Sequence, residues 1–462
     1  MASAELQLGF DVGGTHLDAV VMDRRGRLLA KAKLGVTGRL RDDLGAAVRA
    51  VGANGSIGPD EIARVMLCTH RRGALPAEQG LKRVGVLRIG SPLTHALPPL
   101  SAWPDELRSR VSAGEAVVRG GAEYDGRPAA ALDEDDIVRF LGEVAADAES
   151  IAITSVFSPV APEQELAAAE LVRRELGPTM HVSLSHEIGS VGLLERENAT
   201  VLNGALVGVV EGLAAALDDA LEAEGVHAET FVTQNDGTLM LLQHARRFPV
   251  LTIGSGPASG MRGAAFLSGV EDGLVVDVGG SHTDVGVLVS GFPRETADRA
   301  RIAGVRVALW MPDVRTLSFG GGSPLAEEAA LARAHEALAD RVDRAKAELQ
   351  SPPLVAVGGA DVLVPDDLPG VSEVIRPPDR EVASAIGAAM APVSAHAECI
   401  CSSRPDRRLA ALDDVRASAC AQAVHAGADP AAVSVVQVQE VPLNYLAEPA
   451  IRIRAKAAGP AG

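Results

Sequence analysis

Two octapeptides in this chain carry the same chemistry-bearing residues at the same spacing: Asp11-Val-Gly-Gly-Thr-His-Leu-Asp and Asp277-Val-Gly-Gly-Ser-His-Thr-Asp. A carboxylate ahead of two glycines and a hydroxyl does two jobs at one place. The glycines let backbone amides approach phosphate oxygens, and the carboxylate can hold the water shell of a metal ion. A single copy reads first as an ordinary hairpin turn. The duplicate, at corresponding positions of two halves, points to a nucleotide's phosphates and a Mg²⁺ between them, with Asp11 and Asp277 opposed. Two further glycine clusters, Gly320-Gly321-Gly322-Ser323 and Gly358-Gly359-Ala360-Asp361, fall in the second half. A base and ribose can lie flat on such turns, although each cluster taken singly is also ordinary strand-to-helix punctuation.

Other polar residues offer chemistry with a structural alternative beside it. His186-Glu187, at a strand end, reads as a general acid/base pair tuned toward neutral pH or as a solvated loop pair. Arg196 and Asn203 share a face of a long helix and can reach into a cleft, or serve as hydrogen-bonded core groups. Asp236 ends a strand and presents to substrate, or belongs to an Asn-Asp-Gly turn. His16 and His282 follow the two hydroxyls and support a phosphate, or are structural histidines. His396, Cys399 and Cys401 lack zinc-site spacing.

The elements that must position these groups follow from periodicity. Leu6–Phe10, Ala19–Met22 and Leu28–Leu34 read as three antiparallel strands, and each Asp-x-Gly-Gly segment joins two strands as a hairpin. Val65–Cys68, Val84–Ile89, Ile151–Val156 and His181–Leu184 read as strands between helical patterns at 133–147 and 162–176, which makes the chain α/β. Residues 195–224 form a long Ala/Leu/Val helix that joins the halves. A strand at Leu354–Val357 precedes the last glycine cluster. The expected units are 1–195, 196–397 and a small α+β extension at 398–462, the last from a helix near 406–426 and two strand-like runs.

Composition bounds the function. The 462 residues are 47% hydrophobic and 23% charged, which is folded-protein usage at multidomain length. A net charge of −18 argues against a phosphate-backbone partner, so nucleic acid is not expected. Four cysteines without paired spacing fit a reducing, cytoplasmic compartment, and the N-terminus has no secretory pattern. The most apolar stretch, near 199–217, holds Asn203 and Glu211 and reads as a buried helix, with no membrane expected.

The order of the two aspartate loops, Gly320–Ser323 and Val357-Gly358-Gly359 resembles the actin, sugar kinase and Hsp70 superfold. More narrowly, the chain resembles the hydantoinase/oxoprolinase family, A-type subunit, in its short form. That resemblance rests on Ser185-His186-Glu187-Ile188, on 195–203 (Glu-Arg-Glu-Asn-Ala-Thr-Val-Leu-Asn), on Asp236-Gly237, on Ser255-Gly256-Pro257-Ala258 and on Ala385-Ile386-Gly387-Ala388-Ala389. It covers nearly the whole chain. It implies two duplicated actin-like, ribonuclease H-like lobes around an interlobe nucleotide cleft. It implies ATP and Mg²⁺ as cofactors and opening of a cyclic amide such as a hydantoin or 5-oxoproline through a phosphorylated carbonyl. A separate B-type subunit and an oligomeric assembly are implied as partners. By motif match, Asp11 orients the Mg²⁺ hydration shell. Gly13, Gly14 and Thr15 contact the β- and γ-phosphates, and Asp277, Gly279, Gly280, Ser281 and Thr283 face them. Gly321, Gly322, Ser323, Gly358 and Gly359 frame the adenosine. One departure stands out: Thr69-His70-Arg71-Arg72-Gly73 occupies a stretch that is small and hydroxyl-rich in relatives, which implies a different pocket. A small-molecule kinase, an acetone carboxylase-like subunit and a non-catalytic nucleotide-binding subunit are the competing readings on the same superfold.

Overall fold

A computed structural model describes residues 5–70, 80–189, 192–296, 300–323, 328–346, 351–443 and 449–462. Residues 71–73 of the departing segment lie outside the described residues.

The repeat seen in the sequence is a repeat of structure. Leu6–Val12 and His16–Met22 pair antiparallel, with Asp11 opposite Asp18, and Leu28–Gly35 adds a third strand. Gly273–Val278 and Thr283–Val289 pair the same way, with Asp277 opposite Asp284. Each hairpin then takes a parallel neighbour beside its first strand: Ile62–Thr69 in the first half and Leu354–Val357 in the second. The first turn closes with the Gly13 N–H donating to the His16 carbonyl at 3.0 Å, and the second with Gly279 donating to His282 at 2.9 Å. These short runs are apolar and buried along most of their length, as strands covered on both faces are, and the Gly-Gly tips lie beyond the strand ends.

The domain limits differ from those read in the sequence. The first hairpin belongs to a nine-stranded sheet ordered Ser434–Leu443, Ala450–Gly459, Val393–Ser402, Leu239–Leu241, Glu229–Thr233, Ile62–Thr69, Leu6–Val12, His16–Met22, Leu28–Gly35. The strands Ser434–Leu443 and Ala450–Gly459 are therefore an extension of the first sheet, and Val393–Ser402 runs straight through the expected boundary at 397/398. Ile451, Ile453, Ala455 and Ala457 share one core with Leu8, Phe10 and Leu67. Their apolar face is covered by the helix Pro405–His425, whose Val415, Ala419 and Ala423 lie in the same core, while the strands pair onto the edge of the first sheet. The boundary expected at 195/196 falls inside the helix Leu193–Ala223. Four parallel strands, Ser112–Arg119, Val84–Ser91, Ser150–Ser155 and His181–Leu184, make a sheet of their own.

Leu193–Ala223 is long and apolar enough to cross a membrane by length and composition, but 67% of its most apolar window is buried inside the protein. It packs on the parallel sheet and on the helix Leu40–Gly55. The Gly-rich run at 253–260 falls mostly in a helix, Ser255–Ser268. Its glycines permit a close crossing with the helix Ala383–Met390, where a Cβ on Gly263 or Gly387 would overlap a carbonyl oxygen of the opposite helix.

Candidate functional site

Three strands from the two repeats end at one place. Asp11 is the last residue but one of the first strand of its hairpin, Asp277 holds the same place in the other, and His70 follows the strand Ile62–Thr69. The His70 N–H donates to the Val12 carbonyl at 3.1 Å, which fixes its backbone beside Asp11. The His70 imidazole then spans the lobes, with Nδ1 donating to Asp11 Oδ1 at 2.8 Å and Nε2 lying 3.9 Å from Asp277 Oδ2.

The electrostatics of this cluster are unbalanced. Burial works to lower the His70 pKa, but Asp11, Asp277 and Asp284 outweigh it and hold the ring up at about 9. Burial pushes Asp277 up to about 6, with His70 only partly opposing. Asp18 also rises to about 6 through burial, despite the Lys33 ammonium 2.7 Å away. Among these residues four carboxylates (Asp11, Asp18, Asp277, Asp284) share two cations, Lys33 and His70. The shortfall of two positive charges equals one divalent ion, and hard carboxylate oxygens are the donors Mg²⁺ prefers. The residues therefore fit a hydrated Mg²⁺.

The two loops meet at their tips: a Cβ on Gly280 would lie 2.9 Å from Thr15 Oγ1. His16 and His282 play matched parts, each ring holding the preceding hydroxyl, Thr15 at 3.1 Å and Ser281 at 2.9 Å. Nothing crowds Gly14 within 4 Å of where its Cβ would be, so that side of the loop is open. Thr283, expected at the phosphates, is fully buried and donates to the Phe319 carbonyl at 2.9 Å, a structural anchor. The glycine clusters expected around adenosine touch the second loop. Gly321 and Gly322 N–H groups donate to the carbonyls of Gly279 at 3.0 Å and Gly280 at 2.6 Å, and Ser323 closes the turn onto Gly320. Gly358 has φ +92° and lies under Asp277, where a side chain would overlap the carboxylate. Gly359 lies beside Lys33.

His186 and Glu187 are not brought to this cluster, nor are they partners of each other. Glu187 accepts from Arg247 Nη2 at 2.5 Å. His186 Nδ1 donates to Glu165 Oε2 at 2.6 Å. Both residues line a separate cavity of about 530 Å³ with Asp236, Trp310, His396 and Arg454. Arg196 and Asn203 are buried and structural: Arg196 donates to Ser185 Oγ at 2.9 Å and the Ser155 carbonyl at 2.6 Å, and Asn203 donates to the Arg247 carbonyl at 3.0 Å. Asp236 is held by Lys456 at 2.7 Å and by His396 at 3.3 Å.

Sequence reasoning missed Lys33, Glu165 and the place of His70. Parallel pairing of Ile62–Thr69 with Leu6–Val12 puts Cys68 level with Asp11, so His70 had a signal in the strand register. Glu165 had none, because an acidic residue in the first turn of a helix is common on dipole grounds alone.

Comparison with known proteins agrees with this architecture. Residues 7–176 match the hydantoinase/oxoprolinase N-terminal region and residues 196–366 match hydantoinase/oxoprolinase. The alpha subunit of caprolactamase from Pseudomonas jessenii is 27% identical over 352 residues, 70% of this chain and 49% of its own. The gamma subunit of acetophenone carboxylase from Aromatoleum aromaticum is 27% identical over 219 residues, 45% of this chain and 29% of its own. The chain thus spans about half the length, or less, of these curated relatives. Among solved structures, ATP-dependent caprolactamase from Pseudomonas jessenii superposes with a TM-score of 0.77 at 16% identity, covering 98% of this chain and 87% of that one. Nucleotide-free acetone carboxylase superposes with a TM-score of 0.72 at 16% identity, covering 98% and 88%. With two adjoining family regions matched over most of its length and the duplicated aspartate hairpins at the centre of the fold, the chain belongs to the hydantoinase/oxoprolinase family.

Proposed function

We propose that this chain is the nucleotide-binding part of an ATP-dependent hydrolase that opens a cyclic amide, such as a hydantoin or a 5-oxoproline-like lactam, and that it works with a B-type partner subunit. The observation that carries the reading is the convergence of Asp11 and Asp277, one from each repeat, on a spot short of two positive charges. The ATP-dependent caprolactamase of similar fold supports the amide class.

Asp11 and Asp277 would hold the hydrated Mg²⁺, which when bound offsets the charge of the phosphates. Thr15 and Ser281, oriented by His16 and His282, donate to phosphate oxygens, and Gly14 leaves its loop open for their approach. The His70 imidazolium adds a fixed positive charge between the lobes. Positioning and charge are what phosphoryl transfer asks of a protein. An amide carbonyl is a poor electrophile, and a phosphoryl group on its oxygen makes the carbon reactive to water.

The test is a screen of hydantoins, lactams and ketones for stimulated ADP release, with and without a B-type partner subunit. Stimulation by a cyclic amide with ring opening supports the reading; a phosphorylated product that accumulates unopened points to a kinase and sinks it. One observation favours a second reading, a nucleotide-binding subunit without turnover: His70 fills the space between the two carboxylates. His70→Ala should then raise ATP turnover from a baseline near zero, whereas an active enzyme should lose about 10-fold or more.

A further inference from the structure

The cavity that holds His186 is built differently from the phosphate cluster. Glu165 is fully buried in the helix Glu163–Leu176 and accepts four hydrogen bonds: from the Ser155 N–H at 2.7 Å, Ser185 Oγ at 2.5 Å, the His186 N–H at 3.1 Å and His186 Nδ1 at 2.6 Å. Burial works to raise the Glu165 carboxyl, but the hydrogen bonds from His186 and Ser185 outweigh it and hold it below the usual range. An ionised carboxylate only accepts, so Nδ1 carries a proton, and the neutral form of the ring has its lone pair on Nε2. A buried carboxylate that fixes the tautomer of a histidine lining a cavity is the arrangement general-base chemistry requires.

Around Asp236 the charges are already paired. Arg454 Nη2 donates to His396 Nδ1 at 2.8 Å, and His396 Nε2 donates to Asp236 at 3.3 Å. Lys456 pairs with Asp236 at 2.7 Å and with Glu295 at 3.5 Å, and Arg454 pairs with Glu295 at 3.4 Å. Two carboxylates meet two cations. Lys456 lies between Asp236 and Glu295, and with the His396 ring spent on both nitrogens the group has little left for a metal ion. Arg454 also covers the Trp310 ring at 3.7 Å. Phe248, Leu251 and Leu309 add apolar surface. A cavity of about 530 Å³ with paired charges and an aromatic wall suits a neutral molecule larger than an unsubstituted five-membered ring.

One chain segment links the cavity to the phosphate cluster. Asn235 lines it and accepts from the Gly254 N–H at 2.7 Å. The next residue, Ser255, bonds Thr69 at 3.2 Å, and Gly256 abuts the His70 ring.

We propose that this cavity binds a neutral cyclic amide carrying an apolar ring substituent, with His186 as the catalytic residue that moves the proton at Nε2 and Glu165 as its positioning residue. The proposal rests on the ring-opening reading above. Water adds to the phosphorylated carbonyl carbon and forms a C–O bond while its proton passes to Nε2. The ring C–N bond then breaks, its electron pair stays on nitrogen, the imidazolium returns the proton there, and the hydroxyl left on the carbon gives its proton to Nε2 as the carbonyl of the acyl phosphate forms. The acyl phosphate left behind takes a second water and gives carboxylate and inorganic phosphate.

The experiment pairs turnover with binding, using 5-benzylhydantoin and unsubstituted hydantoin as probes and the chain with its partner subunit. His186→Ala should lose about 100-fold or more in hydantoin-stimulated ADP release, keep its ADP affinity, and recover on addition of imidazole. His186→Gln keeps a donor to Glu165 and fills the ring's place, so it should lose the same turnover without rescue. Calorimetry should show 5-benzylhydantoin binding at least 10-fold more tightly than hydantoin, and Trp310→Ala should erase that preference. His186→Ala turning over within twofold of the parent, or no saturable binding of 5-benzylhydantoin, overturns the proposal. If no cyclic amide stimulates ADP release in the parent protein, the ring-opening reading fails by itself and the calorimetry decides the cavity.

Discussion

At the residue scale the two aspartates differ from any other acidic pair described in the chain because they come from separate repeats and meet across one imidazole. Asp11→Asn and Asp277→Asn keep shape and remove charge. Each should lower ATP turnover by about 100-fold or more while leaving the thermal unfolding midpoint no lower than the parent's, read by ADP release and by calorimetry. The raised carboxyls make a second prediction. Asp18 and Asp277 keep protons to about pH 6 in the folded chain, against a usual value of 3.8. The native state therefore binds more protons than the unfolded one between those values. Stability falls as pH rises through that window, by at most roughly 3 kcal/mol per carboxyl. A divalent ion offsets the exposed charge, so Mg²⁺ should raise the unfolding midpoint more at pH 7.5 than at pH 5. Equal Mg²⁺ effects at the two pH values would remove the charge-deficit argument.

At the element scale the helix pair under the aspartates sets how closely the repeats approach. Gly260 in Ser255–Ser268 lies beside Asp277, and the Ser384 carbonyl in Ala383–Met390 lies 3.6 Å from the Cys68 thiol that neighbours Asp11. Alanine exceeds glycine in helix propensity by about 1 kcal/mol. Yet a Cβ on Gly387 would overlap the Ser259 carbonyl, and overpacking costs about 1–3 kcal/mol. The clash should win, so Gly387→Ala is expected to destabilise and to weaken nucleotide binding by parting the lobes. Gly212, in the long helix, has open space around it, and Gly212→Ala should stabilise by up to about 1 kcal/mol. Chemical denaturation of the two variants separates packing from propensity. Opposite signs are expected, and equal signs would show that the crossing is loose.

At the scale of the whole molecule, the last strands are part of the first lobe's core. Ile453, Ala455 and Ala457 are fully buried and Ile451 nearly so. Burial of the two isoleucines contributes roughly 3–6 kcal/mol, so a chain ending at residue 426 should lose its first lobe. Its unfolding midpoint should fall sharply or the protein should become insoluble, and a truncated chain that unfolds like the parent would show 427–462 to be dispensable. The strands themselves, the long helix and the duplicated hairpins were legible in the sequence because each follows from local periodicity and a repeated motif. The α/β class and the family resemblance followed from the same residues. Local pattern carries no information about which edge a strand joins, and so the C-terminal strands read as a unit of their own until the first sheet received them. The same limit applied to the site. Asp11 and Asp277 could be named from the sequence because their motif repeats. His70 between them, Lys33 beside Asp18 and Glu165 behind His186 are contacts between residues far apart in the chain, and only the packing of sheets and helices decides such distances.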